Sequence, residues 1–392
     1  ITIHFDGSVV PRDRNTPFKG SMFAAYPEDL VFSKIDIRNG AIGLVPDNLP
    51  KVVVTSEYPI HSIDHEQVAG RYMALLLRTP NFMKLIRNVT SGTSGRKRIT
   101  PENFRAIEIP LPEREDQLRI VDAYQNSLLK ASDLEVQALQ VERDAQKAFE
   151  AALGLTPLPN LPKRRFQIAC FKNIERWSHE GILQTALLGD VPPESKFEIV
   201  QLGDIATVSY GLQKCPANRP GKHPRLYLRV ANVQRGYLDL HEIKTIDVPD
   251  GQMDAFKLER DDVLFVEGNG SRKELGRVAL WTGEIPDCVH QNHIIKARLD
   301  QTRACPEFIA EWFNTDVGRM HFFRNAKTTS GLGTINSSEV RSAPVPLPED
   351  TVTQVAIVRL LRKGREAVAA KRKQAATLRT AAWNDFITAV FT

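Results

Sequence analysis

Three adjacent cations, Arg96, Lys97 and Arg98, follow Ser94 and Gly95 in a stretch of turn-forming composition. Cations beside a flexible turn suit two contacts with nucleic acid: charge-assisted hydrogen bonds to phosphate and the forked arginine contact to a guanine edge. A solvated charged loop, or a contact with another protein, is the competing reading of the same residues. Asn269, Ser271, Arg272 and Lys273 form another polar loop after the apolar run Val263 to Val266, and Lys34 and Arg38 occupy the same interval of the first half. Lys327 and Thr328 stand before Ser330, where the first half has its cationic loop, and offer one cation and hydroxyls. Asn and Arg side chains can bind adenine and guanine edges in pairs of hydrogen bonds. The chemistry these groups offer is to hold or read a polyanion, against the competing reading of solvated surface side chains, and none is a bond-breaking set.

Catalytic and cofactor chemistry finds little support. There is no Gly-x-x-x-x-Gly-Lys-Ser/Thr phosphate loop, and Gly268-Asn269-Gly270 and Gly331-Leu332-Gly333 lack the third glycine of a dinucleotide site. The Asn-Pro-Pro-Tyr or Asp-Pro-Pro-Tyr motif of amino-methyltransferases is absent. Cys170, Cys215, Cys288 and Cys305 are scattered without metal-ligand spacing, and read as small apolar residues. A magnesium nuclease needs clustered carboxylates with a lysine. Asp47 with Glu57, or Asp250 with Glu259, fits that pattern loosely, but no matching lysine recurs in both halves. No cofactor or metal is therefore expected in this chain.

The elements that must position the polar loops occur twice. Ser94-Gly95, Ile99, and Ile109-Pro110-Leu111-Pro112 recur 236 positions later as Ser330-Gly331, Ile335, and Val345-Pro346-Leu347-Pro348. Gln117 and Ile120-Val121 recur at an offset of 237 as Gln354 and Ile357-Val358, as does Phe149 as Phe386. Upstream, Asp29 to Phe32 and Gly43 match Asp262 to Phe265 and Gly276 at an offset of 233, which places a three-residue insertion between Gly43 and the pair Pro50/Pro286. Phe197 to Leu228 has no counterpart, so the first copy is expected to lack an opening strand or two, with the native N-terminus missing ahead of Ile1. Between the copies the apolar frame repeats while polar positions change: Thr55-Ser56 faces Gln291-Asn292, and Arg96-Lys97-Arg98 faces Leu332-Gly333-Thr334. For Gln291-Asn292-His293 a structural amide ladder is expected. Ile309, Trp312 and Phe313, at helical spacing, are core.

Each unit runs from a strand-rich part through Pro-Leu-Pro into a long helix. The reading divides the chain into 1–112, 113–154, 155–196, 197–348 and 349–392: globular part, helix, linker, globular part, helix. Both helices should run about 38 to 42 residues, roughly 60 Å at 1.5 Å per residue, with Gly154 and Pro157 ending the first and Gly364 a weak point in the second. Helices of this length must bury a stripe against another helix. The stripes are Ile120, Tyr124, Ala131, Ala138, Val141, Ala145 and Phe149, and Ile357, Leu361, Val368, Ala375, Leu378, Ala382 and Phe386. Positions 113 to 153 hold five basic and nine acidic residues, and 349 to 392 hold eight and four, so opposite charge favours pairing of one with the other. The fold class that follows is α+β, with two globular parts related by a pseudo-twofold and separated by two antiparallel helices in a coiled coil.

The ordered set Ser-Gly, Ile, Pro-Leu-Pro and Gln-x-x-Ile-Val, met twice before an unbroken helix, resembles the end of a target recognition domain and its spacer helix in type I restriction-modification specificity subunits. Leu202-Gly203-Asp204-Ile205 resembles the opening of such a domain. The resemblance implies a non-catalytic subunit that reads a bipartite, asymmetric site in double-stranded DNA. It implies as partners two copies of a DNA adenine methyltransferase subunit and, in a restricting complex, two of an ATP-driven translocase subunit. S-adenosylmethionine, ATP and magnesium would belong to those partners. A site-specific endonuclease or a protein-scaffolding adaptor is the alternative.

The bulk numbers fit: 392 residues, 42% hydrophobic and 25% charged, with a net charge of +5, are ordinary for a globular protein with two cores. The first globular part carries 14 basic and 11 acidic residues and the second 19 of each. Neither is a general polycation, so DNA affinity must come from clustered bases or a partner. No apolar run reaches the ~18 residues that span a bilayer, and a signal-peptide pattern is absent. A cytoplasmic location is expected, with no membrane contact. Lys163-Arg164-Arg165, in the linker, is a further basic run.

Overall fold

The computed structural model describes residues 1–12, 20–90, 98–155, 194–215, 219, 221–269, 274–325, 327–329 and 332–392. Chain contacts divide it into two compact units, one of 1–138 with 369–392 and the other of 139–368. Each unit therefore owns part of both long helices.

In the first unit, a hairpin of β1 (Thr2–Ile3) and β2 (Val9–Val10) precedes β3 (Phe23–Ala25), β4 (Leu30–Phe32), β5 (Ile42–Leu44), β6 (Val52–Val54) and β7 (Ile60–His61). β3 pairs with β6, and β4 lies between β5 and β7, all antiparallel. Leu30, Val31 and Phe32 are all buried, as an unbroken apolar run in a central strand requires. Helices α1 (Gly70–Leu76), α2 (Pro80–Val89) and α3 (Pro101–Arg105) follow, and the first long helix is α4 (Arg114–Ala152). The core joins Phe32, Ile37, Tyr72, Leu76, Phe82 and Ile86 to Val121 of α4 and to Phe386 and Val390 of the second long helix.

In the second unit, β8 (Glu198–Gln201) and β9 (Ala206–Tyr210) lead to β10 (Pro224–Leu228), β11 (Lys244–Asp247), α5 (Met253–Phe256), β12 (Val263–Val266), β13 (Gly268–Asn269), β14 (Val278–Leu280), β15 (Val289–His290) and β16 (Ile294–Leu299). Then come α6 (Pro306–Asn314), α7 (Asp316–Asn325), β17 (Lys327–Thr329), β18 (Leu332–Thr334), α8 (Ser337–Arg341), β19 (Pro344–Leu347) and the second long helix, α9 (Thr351–Phe391). The main sheet has the order β14-β12-β16-β9, a second is β11-β10-β15, a third is β13-β18-β17, and β19 pairs with β8. Ile309, Trp312 and Phe313 are fully buried, in the core with Phe265 and Phe149.

The internal repeat is visible as repeated hydrogen bonds. Gln117 is fully buried; its side-chain oxygen accepts from the Ala69 amide (2.9 Å), and its Nε2 donates to the carbonyls of Gln67 and Pro112 (both 2.8 Å). Gln354 is equally buried and makes the same three bonds, from the Cys305 amide (2.6 Å) and to Arg303 and Pro348 (both 2.9 Å). A glutamine thus ties the first turn of each long helix to the N-cap of α1 or α6 and to the Pro-Leu-Pro segment. Thr79 and Thr315 repeat a second device, donating to Leu76 and Trp312 (both 2.7 Å) and accepting from the amides of Phe82 (3.2 Å) and Gly318 (2.9 Å). Buried main-chain groups need such partners, because leaving one unmet costs about 1–3 kcal/mol.

One alignment is corrected by strand register. Leu30, Val31 and Phe32 face Leu44, Gly43 and Ile42, whereas Val263, Leu264 and Phe265 face Leu280, Ala279 and Val278. Gly43 therefore corresponds to Ala279, and the partner of Gly276 is Gly40. Both of these glycines have left-handed backbone, φ +103° at Gly40 and +60° at Gly276, which only glycine adopts without penalty. The three extra residues consequently lie between Phe265 and Gly276, inside the polar loop that holds Asn269. Among the described residues β9 has no strand equivalent beside β7, and Glu108–Leu111, equivalent to β19, has no strand pairing.

Helix α4 covers 39 residues and α9 covers 41. Gly154, with φ +68°, closes the first. Within the first unit the two run antiparallel: Tyr124 packs on Trp383 and Phe386 with ring centres 5.9 Å apart, and Gln137 accepts from Lys371 (2.8 Å). Glu135 meets both Arg379 (3.1 Å) and Arg372 (4.0 Å), the opposite-charge pairing that the helix charges call for. Within the second unit they are again antiparallel. A Cβ built on Gly364 falls 2.4 Å from that of Ala145, so Gly364 sits at a point of close helix approach. Ala131, Ala138 and Phe149, and Val368, Ala375, Ala382 and Phe386, are buried along the seam.

Candidate nucleic-acid interface

Three polar segments converge on one main-chain crossing in each unit. In the first, the Lys34 amide donates to Glu57 (3.1 Å) and the Lys34 carbonyl accepts from Ile99 (3.1 Å). In the second, the Glu267 amide donates to His293 (3.0 Å) and the Glu267 carbonyl accepts from Ile335 (2.8 Å). The four residues correspond, at offsets of 233 for Lys34/Glu267 and 236 for Glu57/His293 and Ile99/Ile335. Ile99 and Ile335 are both 1% exposed and anchor the crossing. One backbone frame thus carries the loop after β4 or β12, the segment before β7 or β16, and the segment that leads to Ile99 or Ile335.

The side chains on that frame differ in kind. The first unit brings Lys34, Glu57 and Arg98 together, with Arg98 3.5 Å from Glu57. The second brings Glu267 and His293 together at 2.5 Å. Beside them Asn269 pairs with Gly333, and Thr328 with the same Gly333, so Asn269, Lys327 and Thr328 share the small sheet β13-β18-β17. Arg98 and Glu57 are about half exposed, and so is His293. These are solvent-facing donors and acceptors on a rigid base, with a cationic set in one copy and a mixed set in the other.

Of the residues singled out from the sequence, Lys34 precedes the short turn Ile37–Asn39 and Arg38 lies within it, both half-buried, and Arg98 is exposed. Ser94, Arg96, Lys97, Ser271, Arg272, Lys273, Cys170 and the run Lys163 to Arg165 lie outside the described residues. Asn269, Lys327 and Thr328 were expected in loops and stand instead in strands. The expected amide ladder at Gln291 and Asn292 is carried by main chain: the Gln291 amide donates to Leu228 (3.0 Å) and the Asn292 amide to Leu212 (3.0 Å). Glu57, Glu267 and His293 complete the clusters. Their signal was the one used for Thr55-Ser56: repeat partners that are polar in both copies but unlike.

Elsewhere in the second unit, burial pushes His290 down to about 4, with Lys296 adding to it, so its imidazole is neutral at pH 7. At the other end of β12 from Glu267, Asp262, 1% exposed, is paired with Arg298 (2.8 Å). Beside the first cluster, His61 stacks with Phe32 and Phe104, and burial, then Arg105, holds it below its ordinary value. The carboxylates that loosely suggested a nuclease sit in separate ion pairs, Asp250 with Arg225 and Glu259 with Arg298. Among the described residues no group of His, Cys, Asp and Glu could hold a metal ion, and no helix is long and apolar enough to cross a membrane.

No family model matches the chain. It is 26% identical over 273 residues to the type I restriction enzyme EcoKI specificity subunit of Escherichia coli (strain K12), covering 67% of this chain and 53% of that protein. It is 23% identical over 286 residues to the StySPI specificity subunit of Salmonella potsdam, covering 72% and 55%. The chain thus spans about half the length of the curated relatives it matches. The fold is similar to the HsdS subunit from Thermoanaerobacter tengcongensis, with a TM-score of 0.50 at 15% identity over 94% of this chain and 81% of that one. It is also similar to a chain solved in work on complex assembly and conformational transition of the type I R-M system, with a TM-score of 0.56 at 15% identity over 93% and 82%. The resemblance to type I specificity subunits carried by the repeated motifs is borne out in sequence and in fold.

Proposed function

We propose that this chain is the DNA-reading subunit of a type I methyltransferase or restriction complex, recognising a bipartite, asymmetric site in double-stranded DNA. The observation that carries the reading is the repeated main-chain crossing with unlike polar side chains, Lys34, Glu57 and Arg98 against Glu267 and His293. Base identity is read by side-chain donors and acceptors, so one frame with two chemistries reads two different half-sites. The reaction belongs to partners: two DNA adenine methyltransferase subunits holding S-adenosylmethionine and, in a restricting complex, two translocase subunits using ATP and magnesium. The chain itself takes no cofactor, performs no catalysis and works in the cytoplasm, where host DNA is. The exposed face of α4 in the first unit offers the docking surface, with Leu129 and Val136 63% exposed one heptad apart.

The test is to map methylated adenines in host DNA with and without the gene. A two-part motif that disappears on deletion supports the reading. An unchanged methylation map, together with equal affinity of the purified complex for all duplexes, sinks it.

A further inference from the structure

Glu267 and His293 form a side-chain pair on main chain that is fixed beneath both. Glu267 follows β12 and His293 precedes β16, next to the last rung of that strand pair, Val266 opposite Ile294. The Glu267 amide donates to the His293 carbonyl (3.0 Å), and the Glu267 carbonyl accepts from the Ile335 amide (2.8 Å). From that base the side chains meet, with Nδ1 of His293 2.5 Å from Oε2 of Glu267. The carboxylate side chain is 23% exposed and the imidazole 52%, so the acid is the inner member of the pair and the ring the outer one.

The inner member decides what the outer one can offer. An ionised carboxylate only accepts hydrogen bonds, and a neutral imidazole carries one N–H donor and one acceptor nitrogen. The contact with Glu267 therefore places the ring proton on Nδ1 and leaves Nε2 as an acceptor. Among the described residues Nε2 of this half-exposed ring has no hydrogen-bond partner. A pair this exposed contributes little to stability, and the repeated frame does without it: Lys34 and Glu57 occupy the same two places in the first unit. Neither of those side chains has a tautomer to be set, so the device belongs to the second unit alone.

We propose that Glu267 is a positioning residue that holds His293 in the Nδ1–H tautomer, so that Nε2 accepts a hydrogen bond from the exocyclic amino group of one base in the second half-site. The assignment rests on the DNA-reading function proposed above. In the major groove adenine offers its N6 amino group and cytosine its N4 amino group, whereas guanine and thymine present the oxygen acceptors O6 and O4. An acceptor nitrogen thus selects amino-bearing bases and rejects oxo-bearing ones.

The test has two readouts at pH 8. Long-range proton–nitrogen NMR of the full chain labelled at histidine, with the His293 signal identified by its loss in His293→Ala, should show Nδ1 protonated and Nε2 bare. Glu267→Gln, whose amide can donate as well as accept, should abolish that single tautomer. The full chain co-purified with its methyltransferase subunits is then bound to duplexes varied at each position of the site. The wild type should prefer adenine or cytosine over guanine and thymine at one position of one half-site by about 5- to 150-fold, the cost of one mismatched base; whichever base is preferred identifies the amino group as N6 or N4. His293→Ala and Glu267→Gln should each erase most of that preference and leave every other position unchanged. A ring protonated on Nε2, a preference for guanine or thymine that is lost in His293→Ala, or a site profile that neither substitution alters overturns the device and leaves the DNA reading standing. Equal binding of all duplexes by the wild-type complex would remove both, and it shows before any variant is compared.

Discussion

Replacing Gly364 with alanine sets two effects of known sign against each other. In an isolated helix the change stabilises by about 1 kcal/mol, because alanine loses less backbone entropy. Here the added methyl lies 2.4 Å from the Ala145 Cβ, whereas carbon atoms rest at about 3.5–4.0 Å. The helices must therefore part locally by about 1 Å or more. Overpacking of this kind costs about 1–3 kcal/mol, and a gap of about 0.5–1 Å forfeits a quarter to a half of each neighbouring contact. Clash should win, so Gly364→Ala lowers the stability of the second unit by up to roughly 2 kcal/mol. Thermal melts followed by circular dichroism, with hydrogen exchange at residues 141–149 and 360–368, measure it. Adding Ala145→Gly removes the opposing methyl and should recover most of the loss, a coupling that a double-mutant cycle isolates. A gain near 1 kcal/mol in the single variant would refute the helix contact.

Gln354→Met removes three buried hydrogen bonds at nearly constant volume and should cost about 2–4 kcal/mol. Its exchange signature is faster exchange at the Cys305 amide, and Gln117→Met should do the same at Ala69; unchanged exchange would show that the glutamines hold nothing. His290 is held near 4, below an unfolded value of about 6.5, so the unfolded chain takes up its proton first. Stability present above pH 6.5 is lost as pH falls toward 4, by up to roughly 3 kcal/mol, and NMR titration of the imidazole should show a midpoint at about 4. Arg98→Ala breaks a half-exposed pair and should change stability by less than about 1 kcal/mol. It should relax the methylation motif on one side only, and a motif altered on both sides would contradict independent readers.

Most of the frame could be read from the sequence because burial repeats letters. Phe32 and Phe265, Ile99 and Ile335, and Gln117 and Gln354 are buried in both copies, and each must fill the same volume or meet the same main-chain groups. What misled the reading was identity without conformation. Gly43 and Gly276 share a letter, but the left-handed backbone is shared by Gly40 and Gly276, and only strand register reveals where the three added residues lie. Lys327 to Thr334 was opaque for another reason: Thr, Ser and Gly suit a turn and a two-stranded ribbon equally well, and the pairing with β13 is decided across about 60 residues of sequence.

The division between frame and reader has an energetic cause. A buried glutamine or capping threonine cannot be exchanged without leaving main-chain groups unmet, at about 1–3 kcal/mol each, so those positions are pinned in both copies. The pair Arg98–Glu57 stands in solvent and is worth about 0–1 kcal/mol. Its counterparts Thr334 and His293 can therefore bear a different hydrogen-bonding pattern at almost no cost to the fold. Two surfaces on one scaffold then diverge in what they bind as freely as their exposure permits.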